Sequence, residues 1–248
     1  MLRAVLTCLA LVCLALPGLA ADRFGDSKPV TWSGRAPSAY PVHGIDVARF
    51  QDHIDWDTAK RAGVAFAFIK ATEGGDFFDP MFDSHWHGAR RAGIPRGAYH
   101  FYYFCRPAKD QAEWFIRNVP RRTGTLPPVL DMEWNPHSPT CVKRPPATEV
   151  RRQARIYLSM IEKHYGQRPI IYTTPEFYHQ NEMGKLPGVE FWLRSVARPL
   201  DQVYLDQHWM FWQYTGTGRV PGVTGDVDIN VFRGSEGEWR RWLKAHRR

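Results

Sequence analysis

Short apolar runs alternate with segments of helical length along this chain, and that alternation restricts the possible folds more than any other feature. The predicted strands are Gly44–Ala48, Val64–Lys70, Gly97–Phe104, Pro128–Trp134, Ile170–Thr174, Phe191–Val196, Met210–Tyr214 and Val227–Phe232. Helices are predicted at 56–62, 80–92, 107–119 and 148–165, with Asp55 and Thr148 as caps of the first and last. Strand–helix–strand units of this length predict right-handed crossovers and a mostly parallel sheet.

The number of strands favours closure of the sheet into a barrel. Eight strands fit into roughly 205 residues, and the later part of the chain is rich in strands and poor in helices. We therefore expect an α/β fold with a single domain over residues 42–248. An irregular (flattened) TIM-like β/α barrel agrees better with this pattern than a symmetric eightfold one.

The first 41 residues differ from the rest of the chain. Arg3 precedes an apolar run through Leu16, and small residues stand at Gly18 and Ala20, which predicts a signal peptide over residues 1–20 and an exported protein, periplasmic or secreted. A retained anchor is the alternative, but the run is shorter than a bilayer span, so we expect no stable membrane insertion. Residues 21–41 mix glycine, proline, serine and charge, which predicts a flexible leader.

Cysteine content and charge limit the compartment and the partners. Cleavage after residue 20 removes Cys8 and Cys13, so Cys105 and Cys141 remain and are predicted to form a disulfide, with two buried thiols as the alternative. The chain has 33 Lys and Arg against 25 Asp and Glu, a formal charge of +8. This excess would favour a polyanionic envelope polymer as partner, with ordinary solvated surface charge as the default interpretation. The dense basic stripe of a nucleic-acid binder is missing from the sequence.

Four acidic residues fall on predicted strands and are the candidate catalytic residues: Asp46, Asp131, Glu133 and Asp228. In β/α barrels the chemistry occurs at the carboxyl ends of the strands. Asp131 and Glu133 are two positions apart, so their side chains share one face of a strand. Two carboxyls this close cannot both ionise easily, and a neutral acid beside a carboxylate is what glycoside hydrolysis requires. An exposed pair on an ordinary strand edge is the alternative.

Aromatic residues near the predicted strand ends are candidate sugar-binding residues, since flat rings cover the apolar faces of sugars. Each one alone is also compatible with a role in the core. The candidates are Tyr99, His100, Tyr102, Tyr103, Tyr172, Trp192, Trp212 and Tyr214.

From about His43 to Phe232 the sequence resembles the glycoside hydrolase family 25 lysozymes. The resemblance rests on six ordered motifs: HGIDVARFQ at 43–51, FIKATEG at 68–74 with Asp79 following, GAYHF at 97–101, LDME at 130–133, PIIYT at 169–173, and FWQY at 211–214 with GDVDIN at 225–230. It implies an irregular β/α barrel that cleaves the β-1,4 bond between N-acetylmuramic acid and N-acetylglucosamine. No metal or other cofactor is implied.

The resemblance also assigns roles to individual residues. It makes Glu133 the proton donor and Asp131 the second carboxylate, which either stabilises the developing cation or orients the N-acetyl group of the substrate. Asp46 and Asp228 are expected to line the same pocket. The wall residues that it implies are Tyr172, Trp212 and Tyr214.

The resemblance leaves the roles of some residues open. Lys70 and Glu73 are interpreted either as a structural ion pair or as part of the catalytic machinery. Arg49–Gln51 and the loop Asn135–Pro146 match no feature of the family chemistry, and the loop leaves the depth of the cleft open.

Several alternatives to a monomeric muramidase acting on peptidoglycan glycan strands stay open from sequence. They are a chitinase-like endo-glycosidase, a non-catalytic glycan-binding protein, and a metal hydrolase using the acids with His43 or His100. Intact acids at all four positions favour an enzyme over a binding protein, and the histidine spacing matches no metal motif. The basic C-terminal segment 236–248 is either a packed terminal helix or an amphipathic helix on an anionic surface.

Overall fold

The computed structural model describes residues 24–121 and 125–246. Its strands are β1 Gly25–Asp26, β2 His43–Val47, β3 Phe66–Glu73, β4 Phe77–Phe78, β5 Arg96–Phe101, β6 Val129–Met132, β7 Ile170–Thr173, β8 Phe191–Arg194, β9 Phe211–Arg219 and β10 Val227–Phe232. Its α-helices are α1 Trp56–Ala62, α2 Phe82–Arg91, α3 Ala108–Asn118, α4 Ala147–Tyr165, α5 Pro175–Gln180, α6 Leu200–Val203 and α7 Glu236–His246. The predicted signal peptide, residues 1–20, lies outside the described residues.

Eight of these strands form a closed barrel. Strands β2, β3, β5, β6, β7, β8 and β9 pair in that order in parallel. Strand β10 closes the ring, since it pairs antiparallel with both β9 and β2. The single antiparallel strand among the eight makes the barrel irregular, which confirms the expected TIM-like α/β fold.

Strand alternation separates the buried residues into two layers. On β6, Val129 belongs to the apolar cluster inside the barrel, whereas Leu130 and Met132 pack in the layer between the barrel and the helices. Asp131 therefore points inward with Val129, because successive side chains of a strand face opposite sides. This alternation is the basis of the prediction that Asp131 and Glu133 share one face of the strand.

Helix α7 covers the end of the barrel where the parallel strands begin. Its Trp239 and Trp242 rings stack at 5.5 Å, and both pack against Phe211 and Phe232 inside the barrel. The terminal segment is thus a packed helix over residues 236–246, as one of its two interpretations proposed. The carboxyl ends of the parallel strands stay open at the other end.

The segment before β2 is not a flexible leader over residues 24–41, and that prediction is wrong there. Strand β1 pairs with β9, Phe24 is buried, and the ring of Tyr40 packs edge-on against Trp209 and Trp212. The apolar residues of this segment are spaced too irregularly to produce a helical or strand period. Their packing can therefore not be inferred from the sequence pattern.

Local chemistry explains several element ends. Asp55 caps α1 by accepting a hydrogen bond from the Thr58 backbone N–H at 2.9 Å, and Gly63 ends the helix with φ of 108°. The predicted cap at Thr148 is wrong, because α4 already begins at Ala147 after an extended Pro146. None of the helices described is both long and apolar enough to cross a membrane.

The predicted disulfide between Cys105 and Cys141 is present, with their Cα atoms 5.7 Å apart. It joins the segment that follows β5 to the loop that precedes α4. The cross-link limits the freedom of the long loop Asn135–Pro146 beside the open end of the barrel.

Gly44 is a position where even a methyl group should destabilise the barrel. A Cβ atom there would lie 2.5 Å from the ring of Phe66, which is fully buried and packed against Phe211 and Trp239. We expect Gly44→Ala to lower the free energy of unfolding by about 1–3 kcal/mol in thermal or denaturant unfolding. Gly75→Ala is the control, since its Cβ would approach no atom closer than 3.9 Å. Equal stability of the two variants would contradict this account of the barrel interior.

Candidate active site

A cavity of about 410 Å³ opens at the carboxyl ends of the parallel strands. Most of its lining side chains are polar, charged or aromatic, and they come from the ends of nearly every barrel strand. The lining residues are Asp46, Val47, Ala48, Phe50, Gln51, Lys70, Tyr99, Phe101, Asp131, Glu133, Tyr172, Thr174, Trp192, Arg194, Gln213 and Asp228. All four candidate acids are thus brought together around one cavity.

Asp131 and Glu133 lie at the end of β6, where the apolar strand gives way to the cavity. Burial raises the pKa of Glu133 to about 7, against the opposing charges of Arg194 and Lys70. Burial, and then the charge of Glu133, raises the pKa of Asp131 well above its usual value. The pair therefore holds at least one proton at neutral pH, as its placement on a buried strand predicts.

Asp46 and Asp228 face each other across the β2–β10 pair. Burial raises the pKa of Asp46 to about 6, and hydrogen bonds from Asn230 and Gln213 oppose this effect. Burial, and then the charge of Asp46, raises the pKa of Asp228 to about 8. Asp46 is therefore the acid that the site stabilises best as an anion, and its charge favours the protonated form of Asp228.

Two side-chain amides are oriented toward Asp46. The Oδ2 atom of Asp46 accepts hydrogen bonds from Gln213 Nε2 at 3.0 Å and Asn230 Nδ2 at 2.7 Å. Tyr172 donates its hydroxyl to Gln213 Oε1 at 2.8 Å, and Trp192 donates its indole N–H to Asn230 Oδ1 at 2.7 Å. These donors fix both amide groups, so that their NH₂ groups face the carboxylate.

The cavity also contains two cations. Lys70 lines it and forms an ion pair of 2.5 Å with Glu73, which in turn accepts a hydrogen bond from Tyr103. Arg194 lines the opposite part of the cavity. Its charge opposes the rise in pKa that burial causes at Glu133, Asp46 and Asp228. Lys70 and Glu73 are therefore an ion pair, and only Lys70 of the two reaches the cavity.

Sequence reasoning missed Gln213, Asn230 and Arg194 as site residues. Gln213 stands between two aromatic residues of the FWQY motif, and Arg194 ends the apolar run FWLR. A polar residue inside a buried strand is a signal for an interior polar site. That signal was present at all three positions.

Three of the predicted sugar-binding residues line the cavity: Tyr99, Tyr172 and Trp192. Burial raises the pKa of Tyr99 well above its usual value, with the charges of Asp46 and Asp131 adding to the effect. Its hydroxyl is therefore neutral at neutral pH and able to donate a hydrogen bond.

His100 and Tyr102, close to Tyr99 in sequence, point away from the cavity. The prediction that they bind sugar is therefore wrong. His100 is fully buried, hydrogen-bonded to Thr72 at 2.8 Å and to Gln111 at 3.0 Å, and burial lowers its pKa to about 4. Tyr102 is also buried outside the barrel and packs against Phe104. His100 lies on the face of β5 opposite Tyr99, since side chains alternate, and Tyr102, just after β5, packs in the same outer layer.

The remaining aromatic candidates, Trp212, Tyr214 and Tyr103, do not line the cavity either. Trp212 is buried in the outer layer and donates its indole N–H to the Ser195 carbonyl at 2.8 Å. Tyr214, two positions further along β9, has its hydroxyl 3.2 Å from Nδ1 of His43. The predictions for Trp212 and Tyr214 were one position out of register, because the interior residues of β9 are Phe211 and Gln213.

Among the described residues, no group of three His, Cys, Asp or Glu side chains is arranged to hold a metal ion. The loop Asn135–Pro146 contributes no residue to the lining of the cavity, whereas Phe50 and Gln51 do. Phe50 and Gln51, two residues of the segment Arg49–Gln51 that the family resemblance left unexplained, therefore belong to this site.

Comparison with known proteins identifies the family. The family described as "Glycosyl hydrolases family 25" matches residues 45–223. Lysozyme M1 of Streptomyces globisporus is 38% identical over 206 residues, which cover 78% of this chain and 68% of that protein.

Solved structures agree with this match. A family 25 glycosyl hydrolase from Bacillus anthracis superposes with a TM-score of 0.74 at 36% identity, covering 84% of this chain and 95% of that one. A bacterial lysozyme from Streptomyces coelicolor gives a TM-score of 0.73 at 36% identity, covering 83% and 97%. Together with the four acids around one cavity, these matches show that the chain is a glycoside hydrolase and belongs to family 25.

Proposed function

We propose that this chain is an exported muramidase that hydrolyses the β-1,4 bond between N-acetylmuramic acid and N-acetylglucosamine in peptidoglycan. Glu133 is the general acid and Asp131 the second carboxylate. The observation that supports the proposal most is the cluster of four buried or partly buried carboxyls with raised pKa values around a single cavity. Perturbed acids in a cleft are a recognised sign of acid–base catalysis.

The proposed reaction follows from the placement of the acids. Glu133 gives its proton to the glycosidic oxygen while the bond from this oxygen to the anomeric carbon breaks. Burial raises the pKa of Asp131, but a protonated Glu133 no longer adds its charge to this rise, and the charge of Lys70 opposes it. In its ionised form Asp131 then stabilises the positive charge developing at the sugar. A water molecule supplies the new hydroxyl at the anomeric carbon, and its released proton restores the carboxyl pair.

Asp46 and Asp228 act in the proposal as supporting acids. The anion of Asp46, held by Gln213 and Asn230, raises the pKa of Glu133 and thereby favours the protonated general acid. Tyr172 and Trp192 orient these two amides and also line the cavity. They thus combine contact with the sugar and support of the carboxylate.

The proposed location agrees with two features of the chain. A disulfide is typical of proteins that fold in an oxidising compartment. A signal peptide over residues 1–20 would export the catalytic domain, residues 42–248, to the periplasm or beyond the cell. We propose that it acts there as a monomer on glycan strands.

Product analysis tests the proposed bond specificity. Purified sacculi are digested, the new reducing ends are reduced with borohydride, and the fragments are identified by mass spectrometry. We expect N-acetylmuramitol ends from peptidoglycan and little release from chitin. Reduced N-acetylglucosamine ends, or equal cleavage of chitin, would favour the chitinase-like alternative. Binding to sacculi without any new reducing end would favour a glycan-binding protein.

A further inference from the structure

Phe50 is an exposed aromatic residue at the edge of the cavity. Its side chain is 73% exposed, and it belongs to the residues that line the cavity. Of the large apolar residues that are exposed in the described part of the chain, the others are Val30, Val142 and Leu205, and none of these lines the cavity. An exposed aromatic ring at a sugar-binding cleft offers a flat apolar surface to a sugar ring.

The neighbouring Arg49 is held between two aromatic rings. Its guanidinium carbon lies 4.8 Å from the ring centre of Phe50 and 5.0 Å from that of Phe77. Within the described residues, no carboxylate forms an ion pair with Arg49. Glu73 feels its charge, but the Glu73 carboxylate is already bound by Lys70 and Tyr103. The edges of the guanidinium are therefore available to a ligand.

The turn that presents both residues is fixed by hydrogen bonds. Arg49–Gln51 form a single 3-10 turn directly after β2 and Ala48. The Gln51 side chain accepts from the Ala48 backbone N–H at 3.0 Å and donates to the Asp226 carbonyl at 3.2 Å. The backbone N–H of Arg49 donates to the buried Asp79 carboxylate at 3.1 Å. A preorganised turn loses little freedom when a ligand binds.

From these contacts we propose that Arg49 and Phe50 form a subsite for the acidic side chain of N-acetylmuramic acid. Phe50 covers a sugar ring, and the Arg49 guanidinium binds a carboxylate carried by the muramyl residue. Charge-assisted bonds from a planar guanidinium match carboxylates well. Chitin is neutral and offers no such group, so the subsite would discriminate peptidoglycan from chitin. This inference rests on the proposed muramidase function.

The carboxylate has two sources in the wall. In strands without peptides, the lactyl group of each muramyl residue ends in a free carboxylate. In strands with peptides that group is an amide, and the carboxylates lie further out on the peptide. The two sources share one chemistry, and substrates with and without peptides distinguish them.

The test compares Arg49→Gln with the wild type and Arg49→Lys on three soluble glycan substrates. These are strands with peptides, strands stripped of peptides, and stripped strands whose lactyl carboxylates have been converted to neutral amides. We expect Arg49→Gln to lower kcat/KM about tenfold on the acidic strands, mainly through KM, and to leave the neutralised strands within about twofold of wild type. A larger loss of kcat/KM on stripped strands would identify the lactyl carboxylate as the bound group. A larger loss on peptide-bearing strands would identify a carboxylate of the peptide. Arg49→Lys should recover part of the activity on acidic strands.

Arg90→Gln is the matched control for charge, because Arg90 lies exposed on α2 away from the cavity. It should leave all three rates unchanged. Phe50→Leu should lower kcat/KM on all three substrates, because each of them presents the same sugar face to the ring. Phe50→Tyr keeps the ring and should not lower it. Thermal unfolding of each variant separates these effects from misfolding.

Equal losses of Arg49→Gln on acidic and neutral strands, or no loss on acidic ones, would overturn the subsite. Failure of the proposed function looks different, since the wild type itself would then release no muramyl reducing ends. The two failures are therefore distinguishable in one set of digests.

Discussion

Replacing Glu133 with glutamine is expected to lower kcat for wall hydrolysis by about 10³-fold. Glutamine keeps the size of the side chain and can fill the same place in the cavity, but it has no acidic proton for the departing sugar oxygen. Binding to sacculi should be retained, because the aromatic residues and the other acids are unchanged. Reducing-end release measures the rate, and pelleting with insoluble sacculi measures binding.

The pH profile gives a second measure of the role of Glu133. Because its pKa is about 7, the wild-type rate should fall as the pH rises above this value. The residual activity of Glu133→Gln should lack that decline. Glu113→Gln, a change of a half-exposed residue on α3, should match the wild type in rate and profile. A Glu133→Gln enzyme with more than about a tenth of wild-type kcat would assign the general acid elsewhere.

The folded protein is expected to lose about 3 kcal/mol of stability between pH 6.5 and pH 8.5. A carboxyl whose pKa is higher in the folded than in the unfolded chain binds more protons when folded. Its stabilising contribution is therefore full at low pH and is lost as the pH rises through the folded pKa. At 1.36 kcal/mol per pKa unit, Asp228, with a pKa of about 8, accounts for roughly 2 kcal/mol of the loss, and Glu133, with a pKa of about 7, for roughly 1 kcal/mol. The raised pKa of Asp131 acts in the same direction.

Thermal unfolding across this pH window checks the prediction. The loss corresponds to a fall in Tm of roughly 6–12 °C for a chain of this size. Histidine effects in this window are small and of opposite sign. Burial lowers the pKa of His100 to about 4 and also lowers that of His85, so only the unfolded chain still loses protons from these two residues just above pH 6.5.

Asp228→Asn should remove roughly 2 kcal/mol of this pH dependence and raise the stability at pH 8.5, as expected when the requirements of an active site oppose stability. Asp83→Asn, an exposed change on α2, should keep the wild-type dependence. A Tm that is flat or rises over the window would contradict raised pKa values in the acid cluster.

The barrel and the acids were predictable because both depend on local periodicity. Alternation on Pro128–Trp134 was enough to place Asp131 and Glu133 on one face, and the structure puts both at the cavity. Asp46 and Asp228 were found for the same reason, since each lies on an apolar strand. The roles of these acids stay predictions until they are tested by substitution.

The aromatic residues that line the cavity were less predictable, because a residue's position on a strand does not show whether its side chain points into the barrel or out of it. Tyr99 and His100 are adjacent on β5, yet only Tyr99 lines the cavity. The packing of residues 24–41 against β9 and the hydrogen bonds of Gln213 and Asn230 to Asp46 depend on contacts between distant parts of the chain. Such contacts leave no periodic pattern in the sequence.

The pairing of β2 with β10 has a consequence for the cell that makes this protein. Asn230 and Asp46, which share a hydrogen bond at the catalytic end, are separated by 184 positions along the chain. The ring of strands and the carboxylate cluster cannot assemble until ribosomal synthesis has passed residue 230. A polypeptide that stops before this residue therefore lacks the complete carboxylate cluster, and we expect it to be inactive.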